Sequence, residues 1–138
     1  MTQKPSVLFI CVHNAGKSQT AEALMKHLVG DEITVYSAGT GPDEKLAADA
    51  VLALAEIGVE VTDQFPKAID EAILKSADRV VILGDQAKVE PIDGMKAEIE
   101  TWFIIEPKEM GIQGEQRAAM VRDEILERVE QLAEELLG

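Results

Sequence analysis

Residues 7–18 read VLFICVHNAGKS, and this stretch decides the fold. Val7–Val12 is a continuous apolar, partly β-branched run, the pattern of a strand buried on both faces. It passes directly into Lys17–Leu28, where Ala21, Leu24, Met25 and Leu28 recur at helical spacing and Gly30 follows as a stop. Working outward, Ile33–Ala38 predicts a second strand, ending in Gly39-Thr40-Gly41-Pro42. Leu46–Ile57 predicts a helix with Leu46, Ala50, Leu54 and Ile57 on one face. Ala68–Ser76 predicts a short helix, Arg79–Leu83 (RVVIL) a third buried strand, and Ile99–Ile105 a fourth. Glu115–Leu137 closes the chain as a long amphipathic helix with Val121, Ile125, Val129, Leu132 and Leu136 as its inner stripe. Strands alternating with helices predict an α/β fold in three layers, a four-stranded parallel sheet with helices on both faces. The 138 residues make one domain spanning 1–138. Ligands of such sheets bind beyond the carboxyl ends of the strands, which directs attention to the loop after the first strand.

Composition narrows the function. Thirteen Lys+Arg against 26 Asp+Glu give a net charge of −13, which argues against a broad nucleic-acid surface. A small anion remains possible where a local positive field exists. The single cysteine, Cys11, excludes an intramolecular disulfide and a Cys-rich zinc site. One unpaired thiol suits a reducing cytoplasm. No stretch approaches the roughly 18 apolar residues of a membrane span, and the N-terminus makes a poor signal peptide.

The loop Cys11-Val12-His13-Asn14-Ala15-Gly16-Lys17-Ser18 joins strand to helix. Amides at a helix start are unpaired, and the dipole adds partial positive charge, so an oxyanion fits there. Gly16 lets the backbone approach that anion, and Asn14 tolerates a left-handed conformation. Lys17 adds a full charge, and Ser18 offers a hydroxyl to the sulfur. This field favours the thiolate of Cys11 over the thiol. One loop thus combines a nucleophile with an anion cradle. The plainer reading of Cys11 is a small buried hydrophobe at a strand end. Gly16-Lys17-Ser18 also matches the tail of a nucleotide-binding loop, G-x-x-x-x-G-K-[ST], but Cys11 stands where the first glycine belongs.

In VLFICVHNAGKSQTAEAL (7–24), YSAGT (36–40) and RVVIL (79–83), the sequence resembles the low-molecular-weight tyrosine phosphatase fold family, specifically its arsenate reductase branch. The resemblance follows element order down to the C-terminal helix containing Val121-Arg122-Asp123-Glu124-Ile125. It implies that Cys11 attacks arsenate while Val12, His13, Asn14, Ala15, Gly16 and Lys17 hold the oxygens, and that Ser18 stabilises the thiolate. It also implies an acid just before a proline, here Glu106-Pro107, that protonates the leaving oxygen, the geometry general acid catalysis needs.

The sequence departs from the family in four places. The usual loop arginine is Lys17, a point charge without a guanidinium's planar fork. The acid is Glu106 rather than Asp. No further cysteines follow the third strand, so an internal relay to a thioredoxin cannot operate. The resemblance then implies an external co-substrate, mycothiol finished by a mycoredoxin or glutathione finished by a glutaredoxin, and an arsenate–mycothiol transferase step with no bound cofactor. Finally, the resemblance implies that some relatives hold potassium near the loop with an Asn, a Glu, a Ser and an Asp. Asn14, Glu22 and Ser37 match, but Lys67 falls in place of the Asp, so no potassium requirement and no metal are expected.

Two other classes stay open: a phosphatase acting on aryl phosphates, for which Glu106-Pro107-Lys108 offers no aromatic wall, and a non-catalytic oxyanion-binding module. Trp102 and Phe103 read as core, Asp85 as a turn residue, and Asp78 and Arg79 as carrying no chemistry.

Overall fold

The computed structural model describes residues 4–61, 63–105, 107 and 111–138. The strands are β1 (Ser6–Cys11), β2 (Thr34–Gly39), β3 (Arg79–Leu83) and β4 (Ile99–Trp102), and the helices are α1 (Lys17–Val29), α2 (Ala48–Ala55), α3 (Glu71–Ser76) and α4 (Gly114–Leu137). All strand pairings are parallel, in the order β2-β1-β3-β4.

Side chains alternate across the sheet, as the strand period of two requires. Val7 and Phe9 of β1, with Val81 and Leu83 of β3, face a core completed by α1, α2 and α4. Leu8 and Ile10, with Val80 and Ile82, face a second core that includes Ile73 and Leu74 of α3. Both faces are covered, and the three-layer architecture is the expected one. The Phe9 and Trp102 rings pack at 5.8 Å in the first core.

Three predicted elements are shorter than their patterns suggested. The second helix begins at Ala48, not Leu46, because the Ala47 N–H is bonded to the Ala15 carbonyl and holds the chain extended there. Ile57 lies beyond the helix and is exposed, while Ala53 and Leu54 are buried. The third helix starts after Asp70, whose carboxylate caps the N–H groups of Ala72 and Ile73, and Ala68 instead bridges to Gly39. The fourth strand ends at Trp102; farther on, the Ile105 N–H donates to the Glu124 carboxylate at 2.7 Å instead of continuing the ladder. Phe103 is no core residue, being 68% exposed.

Two arginines tie the layers together. Arg79 forks onto Glu100 at 2.8 and 2.9 Å and reaches Glu135 at 2.9 Å, joining β3, β4 and α4. Those hydrogen bonds raise its pKa further against burial. Arg122, buried on α4, donates to the Ala53 carbonyl at 2.7 Å and pairs with Asp123 at 2.9 Å, fixing α4 to α2.

Candidate active site

Cys11 pairs in register with Gly39, and Leu83 with Trp102, so the carboxyl ends of all four strands share one edge. The strand order reverses around β1 and β3, and a cavity of about 1060 Å³ opens at that switch point. Cys11, Gly16, Lys17 and Gly84 line it, with Arg117 from α4.

The loop after Cys11 is held by its carbonyls. The carbonyls of Cys11, Val12, His13 and Ala15 accept from the N–H groups of Thr40, Gly41, Asp43 and Ala47 at 2.8–3.2 Å. The Asn14 carbonyl accepts from Gln19 Nε2 at 3.0 Å. No peptide is cis. A trans peptide points its carbonyl and the next N–H in opposite directions. The N–H groups of residues 12 to 16 are therefore turned away from those partners. Among the described residues, none of them donates to a carbonyl. Successive amides turned to one side are the arrangement that can form an anion-binding concavity.

Asn14 has a left-handed backbone, φ 51°, as its residue type permits. Its side chain is fully buried and does not face the cavity. Asn14 Oδ1 accepts from the Lys67 N–H at 2.9 Å and from Gln19 Nε2 at 3.0 Å, and Nδ2 donates to Ser18 Oγ at 2.7 Å. Ser18 Oγ lies 2.9 Å from Cys11 Sγ. The Ser18 oxygen already accepts from Asn14, so its own proton is available to a thiolate at Cys11.

Gly39 is obligatory for this packing: a Cβ there would stand 2.6 Å from the Val12 carbonyl oxygen. A Cβ on Gly16 would stand in open space. The Lys17 ammonium lies 3.4 Å from where a Cβ on Gly84 would be, at the end of β3. His13 is exposed and its imidazole points to Asp43 at 3.5 Å, so only its backbone belongs to the loop. Glu106 lies outside the described residues.

Beneath the loop, Asn14, Glu22, Ser37 and Lys67 converge. The buried Glu22 carboxylate accepts from Ser37 Oγ and Lys26 Nζ. The Lys67 ammonium donates to the Phe65 carbonyl at 2.9 Å and lies 3.5 Å from Ser37 Oγ. Burial lowers the Lys67 pKa; the Glu22 charge opposes this and Lys26 adds to it. The Lys67 ammonium thus lies beside Ser37 and in the field of Glu22, while Asn14 meets the Lys67 backbone N–H. Among the described residues, no cluster of three His, Cys, Asp or Glu could hold a metal, and no helix is long and apolar enough to cross a membrane.

Residues 6–137 match the low molecular weight phosphotyrosine protein phosphatase family. The chain belongs to that family. Among similar proteins, an arsenate reductase of Bacillus licheniformis is 38% identical over 135 residues, covering 95% of this chain and 96% of the relative. A solved thioredoxin-dependent arsenate reductase of Corynebacterium glutamicum is 29% identical with a TM-score of 0.78; it is matched over 99% of this chain but 63% of its own length. A solved arsenate reductase in the phosphate binding state is 26% identical with a TM-score of 0.82, over 96% of this chain and 98% of that one.

Several contributors to the phosphatase-family site escaped the sequence reading. Gln19 ties Asn14 to the Phe65 carbonyl at 2.8 Å, and Thr20 and Arg117 line the cavity. Asp85, read as a turn residue, and Phe103, read as core, also line it. Gln19 and Thr20 follow the motif directly, but nothing in their spacing announces a role. Arg117 and Phe103 come from distant segments that only the folded chain brings to the loop.

Proposed function

We propose that this chain is a thiol-dependent arsenate reductase. The observation that carries the reading is the turn of five loop amides away from their carbonyls' partners, around a sulfur 2.9 Å from the Ser18 hydroxyl. That arrangement suits a tetrahedral oxyanion and a thiolate together. The naming of similar proteins as arsenate reductases supports arsenate as the oxyanion.

On this reading the Cys11 thiolate attacks arsenic. An As–S bond forms, one As–O bond breaks, and the departing oxygen takes a proton and leaves as water. Glu106 is the proposed proton donor, and Lys17 balances the charge on the remaining oxygens. Arsenic is still pentavalent at this point. With one cysteine in the chain, no internal disulfide can release it. An external low-molecular-weight thiol, mycothiol or glutathione, then displaces Cys11 from arsenic. Its proton is released, and the arsenic leaves as a thiol conjugate for a mycoredoxin or glutaredoxin to reduce to arsenite. The cavity is far larger than one oxyanion and accommodates such a co-substrate.

Arsenate-dependent consumption of mycothiol or glutathione tests this. The native chain consumes one of them and Cys11→Ser consumes neither; no consumption of either thiol by the native chain overturns the reading. Aryl phosphate hydrolysis is the second reading, favoured by the exposed Phe103 ring on the cavity. Faster turnover of a chromogenic aryl phosphate than of arsenate decides for it.

A further inference from the structure

The chain has four arginines, and three are bound to carboxylates. Arg79 pairs with Glu100 and Glu135, Arg122 with Asp123 and Glu56, and Arg128 with Glu124. Arg117 is half-buried and lines the cavity of Cys11 and Lys17. Among the described residues, no carboxylate lies within ion-pair distance of it. This is notable in a chain with 26 acidic and 13 basic side chains. Asp43, Asp49 and Asp85 line the same cavity and still do not close on it. Its placement is supported, because Arg122, five residues on, fixes α4 to the Ala53 carbonyl.

The loop itself lacks a guanidinium. Lys17 gives an oxyanion a point charge, whereas a guanidinium offers a planar fork that matches two of its oxygens. We propose that Arg117 is a binding residue for the tetrahedral oxyanion at Cys11, bringing from α4 the guanidinium that the loop does not carry. This rests on the oxyanion reading of the loop but not on arsenate chemistry.

The test is protection of Cys11 from iodoacetamide by inorganic phosphate, on the full chain, where the single cysteine makes labelling unambiguous. In Arg117→Ala the half-protecting phosphate concentration should rise about tenfold, the loss of one charge-assisted contact. Each variant's protection is scaled to its own alkylation rate without phosphate, and Arg117→Lys should recover part of the protection. Arg117→Gln, which keeps most of the side-chain stem, gives the same readout should the alanine variant melt early. An unchanged half-protecting concentration overturns the proposal. So does intact phosphate protection combined with a raised KM for the thiol alone, which would assign Arg117 to the co-substrate. Failure of phosphate to protect the native chain overturns the oxyanion reading, and this inference with it.

Discussion

The side-chain amide of Asn14 donates to Ser18 Oγ at 2.7 Å, and that oxygen lies 2.9 Å from Cys11 Sγ, which leaves the Ser18 proton available to a thiolate there. The amide cannot be turned over, because its oxygen accepts from the Lys67 N–H and from Gln19 Nε2. A left-handed residue at the bend of the loop therefore also sets the hydrogen bond to the nucleophile.

Removing that hydroxyl should make the sulfur less reactive. In Ser18→Ala the rate of Cys11 alkylation at neutral pH is expected to fall about tenfold, in line with a hydrogen bond to a charged acceptor. Asn14→Ala should give a smaller loss, since Ser18 can still donate without being held. Equal rates in the native chain and Ser18→Ala would remove Ser18 from the role.

Lys17 should govern arsenate affinity more than turnover. Its ammonium lies at the end of β3 beside Gly84, on the cavity. Lys17→Ala is expected to raise the KM for arsenate about tenfold or more, the scale of a charge-assisted contact. Lys17→Arg should keep activity, because Gly84 presents no side chain to the larger head group. A KM unchanged in Lys17→Ala would show that the loop amides hold the anion unaided.

The Lys67 ammonium occupies the neighbourhood of Glu22 and Ser37 where relatives are expected to hold potassium. Melting temperature and turnover should be the same in potassium and sodium chloride at equal concentration. Lys67→Asp takes away the ammonium and restores the fourth ligand type, and its melting temperature should rise in potassium relative to sodium. A potassium response in the native chain would contradict this.

The sheet and the loop were legible because their signals are local. The apolar run of β1 alternates between two cores, Val7 and Phe9 against Leu8 and Ile10. The spacing of Ala21, Leu24 and Met25 marks one buried face of α1. The left-handed Asn14 and the Ser18 contact to Cys11 were likewise readable from residue type. What was not legible depends on distant partners. Ile57 fits a helical stripe but lies past the end of α2, and Phe103 fits a strand but faces the cavity. Nothing in the spacing of Arg122 marks it as buried, yet the Ala53 carbonyl gives it a buried place on α4. Arg117 and the loop are about a hundred residues apart in the chain, and no periodicity links them.

The Asp78 carboxylate accepts from the Ser6 N–H at 2.8 Å and pairs with Lys96, so it ties β1 to the turn before β3. The hydrogen bond from Lys96 leads in holding its pKa below the ordinary 3.8, Ser6 adds to this, and partial burial opposes it. A folded-state pKa below the unfolded one means that the carboxylate stabilises the fold above about pH 3.8, and that this contribution fades as pH falls through the lowered value. Asp78→Asn should therefore lower stability at neutral pH by about 1 kcal/mol, the scale of one such hydrogen bond. Near the acid limit the two chains should converge, since both then present an uncharged side chain to Ser6 and Lys96. Urea unfolding of both proteins across that range measures the difference. A gap that stays constant, or widens as pH falls, would show that the charge of Asp78 is not what holds the two strands in place.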